Sequence, residues 1–265
     1  MNSALTTAAA SMARVVGLRA LACGAPSWIA LAHKVAPVHA AHAATAATTL
    51  TSNDSPIGMY GDPAAAAPFW RPQHSSDCGE MAVADVVGLI SGHEPTEQDI
   101  VAVAETTSSS AHLGPIYDPR RRGGTNNLDV GVLLKRYGVH SITSDTEAAT
   151  GGVSDPTDLL ERSLAHGQKV IVGVNANILW TKSTGDRTKE NHFVVVTAID
   201  TSVGVVHLND SGVTDGQDEQ ISTAIFAAAW ATSHDERTVT DPVTTQVDMR
   251  HGWAGYYRRS GSRKH

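Results

Sequence analysis

A chain of 265 residues is long enough for one large domain or two small ones, and its hydrophobic fraction of 41% is slightly lean for a packed core. Its net charge of −7 argues against a nucleic-acid partner, because binding phosphates requires a basic face. Beyond residue 60 no stretch is long and apolar enough to cross a bilayer, so no membrane span is expected in the mature chain.

The first 65 residues are rich in Ala and Thr. Arg14 and Arg19 precede a moderately apolar stretch over 20–32, and the small residues at Ala40, Ala43 and Ala44 resemble the exit of an export signal. Gly24 and Pro26 interrupt that stretch, and a disordered extension is the alternative, since such composition buries too little surface to order itself. The expected organisation is therefore a leader or extension over 1–65, a folded domain over 66–257 and a basic tail over 258–265. The protein is expected to be secreted or held in the cell envelope, and otherwise cytoplasmic.

Helical periodicity runs from Cys78 through Met81, Val83, Val86, Val87 and Ile90 to a stop at Gly92. Thr96 and Asp99 form a capping box ahead of a second helix over 99–105. Residues 107–126 hold Pro115, Pro119, Gly123 and Gly124 and read as a surface loop. Leu128, Val132, Leu133 and Tyr137 recur at helical spacing before Gly138, and Asp155-Pro156 opens a helix that closes at Gly167. Strands are expected over 169–174, 192–199 and 204–208, the first a continuous apolar run suited to a strand covered on both faces. A helix over 221–232 and an edge strand over 253–257 complete the pattern. Helices first and strands later indicate an α+β fold, with N-terminal helices packed on a C-terminal antiparallel sheet.

The chain has two cysteines, and Cys23 lies in the leader. A solitary Cys78 at a helix start meets unpaired backbone N–H groups and the positive end of the helix dipole, a placement that favours a thiolate nucleophile. Such a nucleophile needs a base, a group to orient that base, and donors for an oxyanion. His192 opens the apolar strand and is the leading base among 13 histidines. A tight turn at Asp200-Thr201-Ser202 makes the next strand its antiparallel neighbour, so residues 208–210 should flank His192, and Asp210 is the carboxylate within reach. Gln73, with the Cys78 backbone N–H, is the candidate oxyanion donor. His74 is a rival base by proximity in sequence, and His207 is expected to face solvent. His39, His42, His166, His207 and His251 are scattered, with no Cys pair and no metal-binding helix motif, so neither a metal nor a cofactor is expected.

Gln73-x-x-x-x-Cys78-Gly79, then Asn191-His192-Phe193-Val194-Val195-Val196, then Leu208-Asn209-Asp210-Ser211 resemble cysteine peptidase family 39, papain-like enzymes that trim double-glycine leaders. Gly124-Thr125 before the 128–137 helix, Val170-Ile171-Val172-Gly173-Val174, and Phe226-x-x-x-Trp230 extend the resemblance over roughly residues 66–232. It implies a papain-like fold with Cys78 as nucleophile, His192 as general base, Asp210 as orienter and Gln73 at the oxyanion. It also implies a peptide or protein substrate. Glu80 departs from the small residue or Pro that commonly follows Cys-Gly, and with Asp77 it sets two acids beside the thiol, which opposes thiolate formation unless they turn away or cap the helix. The family's transporter-fused processors carry a nucleotide-binding domain, and this sequence has no Gly-rich phosphate loop. The expected function is hydrolysis of a peptide or amide bond through an acyl-enzyme. An acyltransferase or a cell-wall amidase on the same scaffold, or a secreted non-catalytic binding protein, are the alternatives. Specificity is expected to come from the loops 107–126 and 176–191, with Tyr117 and Trp180 as lining residues.

Overall fold

The computed structural model describes residues 58–121, 124–144 and 155–243. The leader with Cys23, the basic tail and the expected edge strand over 253–257 lie outside the described residues.

The chain enters the sheet early. Strand β1 (Met59–Gly61) is followed by a short helix α1 (Pro63–Ala66), capped by Asp62, and one 3-10 turn over Ala67–Phe69. Helix α2 (Cys78–Ser91) ends at Gly92 in the left-handed conformation, φ 75°, as its glycine stop predicts. Thr96 accepts a hydrogen bond from the Asp99 N–H and opens α3 (Glu97–Thr106). Asn126 caps α4 (Asn127–Arg136), and β2 (Ser141–Ser144) follows. Asp155 caps α5 (Pro156–Ala165) through the Thr157 N–H, with Pro156 at the first helical position. Then come β3 (Val170–Val174), the short α6 (Ala176–Leu179), β4 (His192–Asp200) and β5 (Val205–Asn209). The described residues end with β6 (Glu219–Ser222), α7 (Thr223–Trp230) and β7 (Arg237–Thr240). The expected 221–232 helix starts later because Glu219–Ser222 pairs with β5 and Ser222 caps the helix instead.

All strand pairs are antiparallel, in the order β2-β7-β3-β4-β5-β6. β1 pairs with the last three residues of β4, Met59 opposite Asp200, beyond the stretch that β3 occupies. The sheet therefore takes in residues ahead of position 66, where the sequence alone places the start of the folded domain. Three residues are too few to show a strand period, and their pairing depends on a partner about 140 positions away.

The fold is α+β, with the N-terminal helices on the antiparallel sheet as expected. Side chains alternate across a strand, and here the two faces feed two cores. Ile171, Phe193 and Val195 pack against α2, α3 and α4 with Val83, Val86, Ile100, Leu133 and Leu134. Val170, Val172, Val174, Val194 and Val196 pack against α5 and α7 with Leu160, Leu164, Phe226 and Trp230. All five residues of β3 are buried, so the strand is covered on both faces, as its unbroken apolar run predicts. This framework sets the start of α2 beside the start of β4, and the two candidate chemical groups open those two elements. No helix among the described residues is long and apolar enough to cross a membrane.

Candidate active site

Cys78 is the first residue of α2 and His192 the first of β4. Both are buried, and both line one cleft of about 430 Å³. His192 Nε2 lies 2.6 Å from Asp210 Oδ1. With that nitrogen engaged, Nδ1 is the ring atom left for Cys78, which lines the same cleft and whose presence favours the protonated imidazole. The β4–β5 ladder pairs Val195 with Asn209, one residue short of Asp210, so the carboxylate reaches His192 diagonally from just beyond the strand end.

Asp210 is wholly buried and accepts from three donors. Oδ1 accepts from His192 and from the Gly212 N–H at 2.7 Å, and Oδ2 accepts from Trp180 Nε1 at 3.0 Å. Its backbone is pinned as well: Trp70 Nε1 donates to the Asp210 carbonyl at 2.7 Å, and the Asp210 N–H donates to Gly216. Burial works to raise the Asp210 pKa, but the hydrogen bond and charge of His192, then the Trp180 and Gly212 donors, outweigh it and leave the pKa lowered. Burial likewise favours neutral His192. The bond to Asp210, then the Cys78 side chain and both groups' charges, overcome it and raise the imidazole to about 10. The arrangement favours a protonated imidazole beside the Asp210 carboxylate.

Trp180 does not line the cleft. Its ring sits 5.4 Å from that of His192, tilted by 56°, and covers the His–Asp pair. Gly212 makes this approach possible, because a Cβ there would meet the Trp180 ring at 2.7 Å and His192 Cε1 at 3.0 Å. The loop carrying Trp180 is tied by Asn175, which is fully buried, caps α6 and donates to the carbonyls of Asp186 and Lys189. Tyr117 also stays out of the cleft: it is buried in the helical core, with its hydroxyl 3.1 Å from Ser75 Oγ. The expected loops do supply the walls, through His112, Arg121 and Gly124–Asn126 on one side and Glu190 and Asn191 on the other.

Gln73 is fixed to the segment that follows Asp210. Its N–H donates to the Ser211 carbonyl at 2.8 Å, its Oε1 accepts from Ser211 Oγ at 2.9 Å, and its Nε2 donates to the Ser75 carbonyl at 2.7 Å. One amide hydrogen of Gln73 is thus spent locally. His74 is exposed and engages Glu97 Oε2 at 2.6 Å, so its ring is turned to α3 rather than to the thiol. His207 does not face solvent as expected. It is buried, with Nδ1 2.7 Å from Asp218 Oδ1, because β6 covers the strand edge that it would otherwise expose. No cluster of metal-ligating side chains occurs among the described residues.

Neither of the two acids beside the thiol caps the helix through its side chain. Asp77 is buried against Glu97, and burial first and the Glu97 carboxyl next push it up to about 6. Glu80 is wholly buried, accepts from Thr125 Oγ1, and is driven by burial up to about 7. Desolvation keeps both neutral in mildly acid solution, which removes their opposition to a thiolate there.

Glu219 is the residue nearest this chemistry that the sequence reading did not anticipate. It faces Asp210 from β6, and only its place in that strand pairing reveals it.

No family model matches the chain. It is 44% identical over 229 residues to the uncharacterized protein Rv1268c of Mycobacterium tuberculosis, a match covering 81% of this chain and 98% of that one. An uncharacterized protein of Mycobacterium bovis matches to the same extent. The chain belongs to this mycobacterial protein family. Among solved structures, it is similar to one described as a C39-like peptidase from Bacillus anthracis, with a TM-score of 0.48 and 17% identity over 69% of this chain and 98% of that chain. A double-glycine-motif protease from an AMS/PCAT transporter, solved with the leader peptide, gives a TM-score of 0.41 and 19% identity over 65% of this chain and 89% of that one. These likenesses concern the fold alone, and the chemistry of the site rests on its own geometry.

Proposed function

We propose that the protein is a cysteine hydrolase that cleaves a peptide or amide bond, with Cys78 as nucleophile, His192 as proton carrier and Asp210 as the group that orients it. The observation that carries the reading is the buried His192–Asp210 bond of 2.6 Å, with Cys78 at a helix N-terminus lining the same open cleft as the imidazole. The Cys78 sulfur attacks the carbonyl carbon and forms a C–S bond. His192 passes its proton to the leaving amine as the C–N bond breaks, leaving a thioester. His192 then takes a proton from water, whose oxygen adds to the thioester carbon; the C–S bond breaks and releases the acid and the Cys78 thiolate, with His192 left protonated for the next cycle. Asp210 stays ionised throughout and stabilises the imidazolium.

The first N–H groups of a helix have no intrahelical acceptor, which leaves the Cys78 N–H for the oxyanion. Gln73 is the proposed side-chain donor, through its second amide hydrogen. The proposed chemistry requires no metal or cofactor. Export belongs to the same proposal and rests on the leader's sequence; N-terminal sequencing of secreted protein tests it.

The test of the activity is turnover of a mixed peptide pool, read by mass spectrometry. Cleavage by the wild type that is lost in Cys78→Ala, by at least about 100-fold, is the expected result. Full activity in that variant would sink the proposal.

A further inference from the structure

We propose that Glu219 is a positioning residue for this site, sharing one proton with Asp210 through a carboxyl–carboxylate hydrogen bond and so holding Asp210 under His192. The inference rests on the reading of Cys78, His192 and Asp210 given above and deepens it.

Glu219 opens β6 and pairs with Leu208 of β5, two residues before Asp210. Positions two apart share a face of the sheet, so the Glu219 side chain is set diagonally against the start of the segment that carries Asp210. Its Oε2 is buried and accepts no hydrogen bond from the protein. The group it meets is the Asp210 carboxyl. Two ionised carboxylates in a buried space repel, and the stable arrangement is one proton between them. The donors decide which group holds it. Asp210 already accepts from His192, Gly212 and Trp180, all of which favour its ionised form. The proton therefore resides on Glu219, whose O–H becomes a further donor to Asp210.

The surroundings agree with this assignment. Burial, then the charge of Asp210 and the hydrogen bond to it, then the charge of Asp215 in the preceding loop push Glu219 up to about 7, while His192 on β4 works the other way. On the neighbouring strand His207 is already paired with Asp218. Helix α7, which follows β6 directly, carries no titratable side chain.

The device is pH-sensitive in a defined direction. Below about pH 7 Glu219 donates to Asp210; above it, Glu219 ionises, the two carboxylates repel, and Asp210 is pushed off line from His192. A free thiol ionises near pH 8.5, so alkylation at about pH 6 reads only a thiolate held by His192.

The experiment is the rate of Cys78 alkylation by iodoacetamide from about pH 5.5 to 8 in the full chain and in Glu219→Gln, Glu219→Ala and His192→Ala. Glutamine keeps a neutral donor of the same length. Its rate is expected to stay within about threefold of wild type at pH 6, and the ratio of variant to wild type to rise by about fivefold by pH 8. Glu219→Ala is expected to be slower at pH 6 by about tenfold. A variant-to-wild-type ratio that stays flat with pH for glutamine, or an alanine variant as fast as wild type at pH 6, overturns the role of Glu219. A His192→Ala variant as fast as wild type at pH 6 overturns the underlying reading of the site instead, so the two failures are distinct. If the alanine variant does not fold, the glutamine ratio decides alone.

Discussion

Glu80 shows how much one buried side chain can carry. It lies in the first turn behind Cys78, has no exposed surface, and takes its one protein hydrogen bond from Thr125. A donor favours the ionised form of a carboxyl, so Thr125→Val should push the Glu80 pKa above its present value of about 7. The lost stabilisation is then felt only where Glu80 is ionised. Urea unfolding of Thr125→Val should show a loss of about 1–3 kcal/mol near pH 8, and a clearly smaller one near pH 5.5, where Glu80 is protonated in both proteins. Equal losses at both pH values would mean that Glu80 does not ionise in the folded protein. At this scale the sequence made Cys78, His192 and Asp210 visible, because a lone thiol at a helix start and a histidine at a strand mouth have local signatures. It did not show where Asp77 and Glu80 would turn. That depends on Glu97 and Thr125, which approach from other elements.

Helix α2 is the element on which the site turns, and its first turn is tightly enclosed. A Cβ on Gly79 would lie 2.9 Å from Thr125 Cβ and 3.3 Å from the Phe193 ring. Alanine normally stabilises a helix over glycine by about 1 kcal/mol. Here the added methyl meets the root of a side chain and an aromatic on β4, an overpacking that costs about 1–3 kcal/mol. Gly79→Ala is therefore expected to lower the thermal midpoint by a few degrees, measured by circular dichroism, and to slow Cys78 alkylation because the helix start is displaced. A raised midpoint would show that propensity wins and that the enclosure is loose. The longer helices were legible element by element, since Gly92, Thr96, Asp155 and Gly167 punctuate the chain with local chemistry, whereas the four-residue α1 and α6 were not. The strands β1, β2, β6 and β7 were not. Each has three or four residues and no sustained apolar run, and each exists because a distant strand supplies its hydrogen bonds.

Taken whole, the molecule carries an unusual number of acids held above their ordinary range. Asp77 is pushed up to about 6, Glu80, Glu94 and Glu219 to about 7, and Asp85 in the same direction, in each case by burial first. A carboxyl raised in the folded state contributes most below its unfolded pKa, and that contribution is lost as pH rises through the folded value. For Glu80 alone the rise from 4.5 to about 7 corresponds to about 3 kcal/mol. His192, raised to about 10, also loses stabilisation as pH climbs from its unfolded value of 6.5. Asp210 and Glu97 are lowered and act the other way, losing theirs as pH falls below about 4. Unfolding free energy should therefore peak at about pH 4 and fall by several kcal/mol toward pH 8, as followed by denaturant titration. A flat or rising profile over that interval would mean that these acids are solvated in solution. The sequence by itself determined the longer helices, the buried strands and the α+β arrangement, because periodicity, capping and turn chemistry act over a few residues. Only the tertiary structure decided which acids are desolvated, which tryptophan covers the His–Asp pair, and that Glu219 stands behind Asp210. Desolvation and carboxyl pairing depend on how separate elements pack against one another, and no local pattern encodes that meeting.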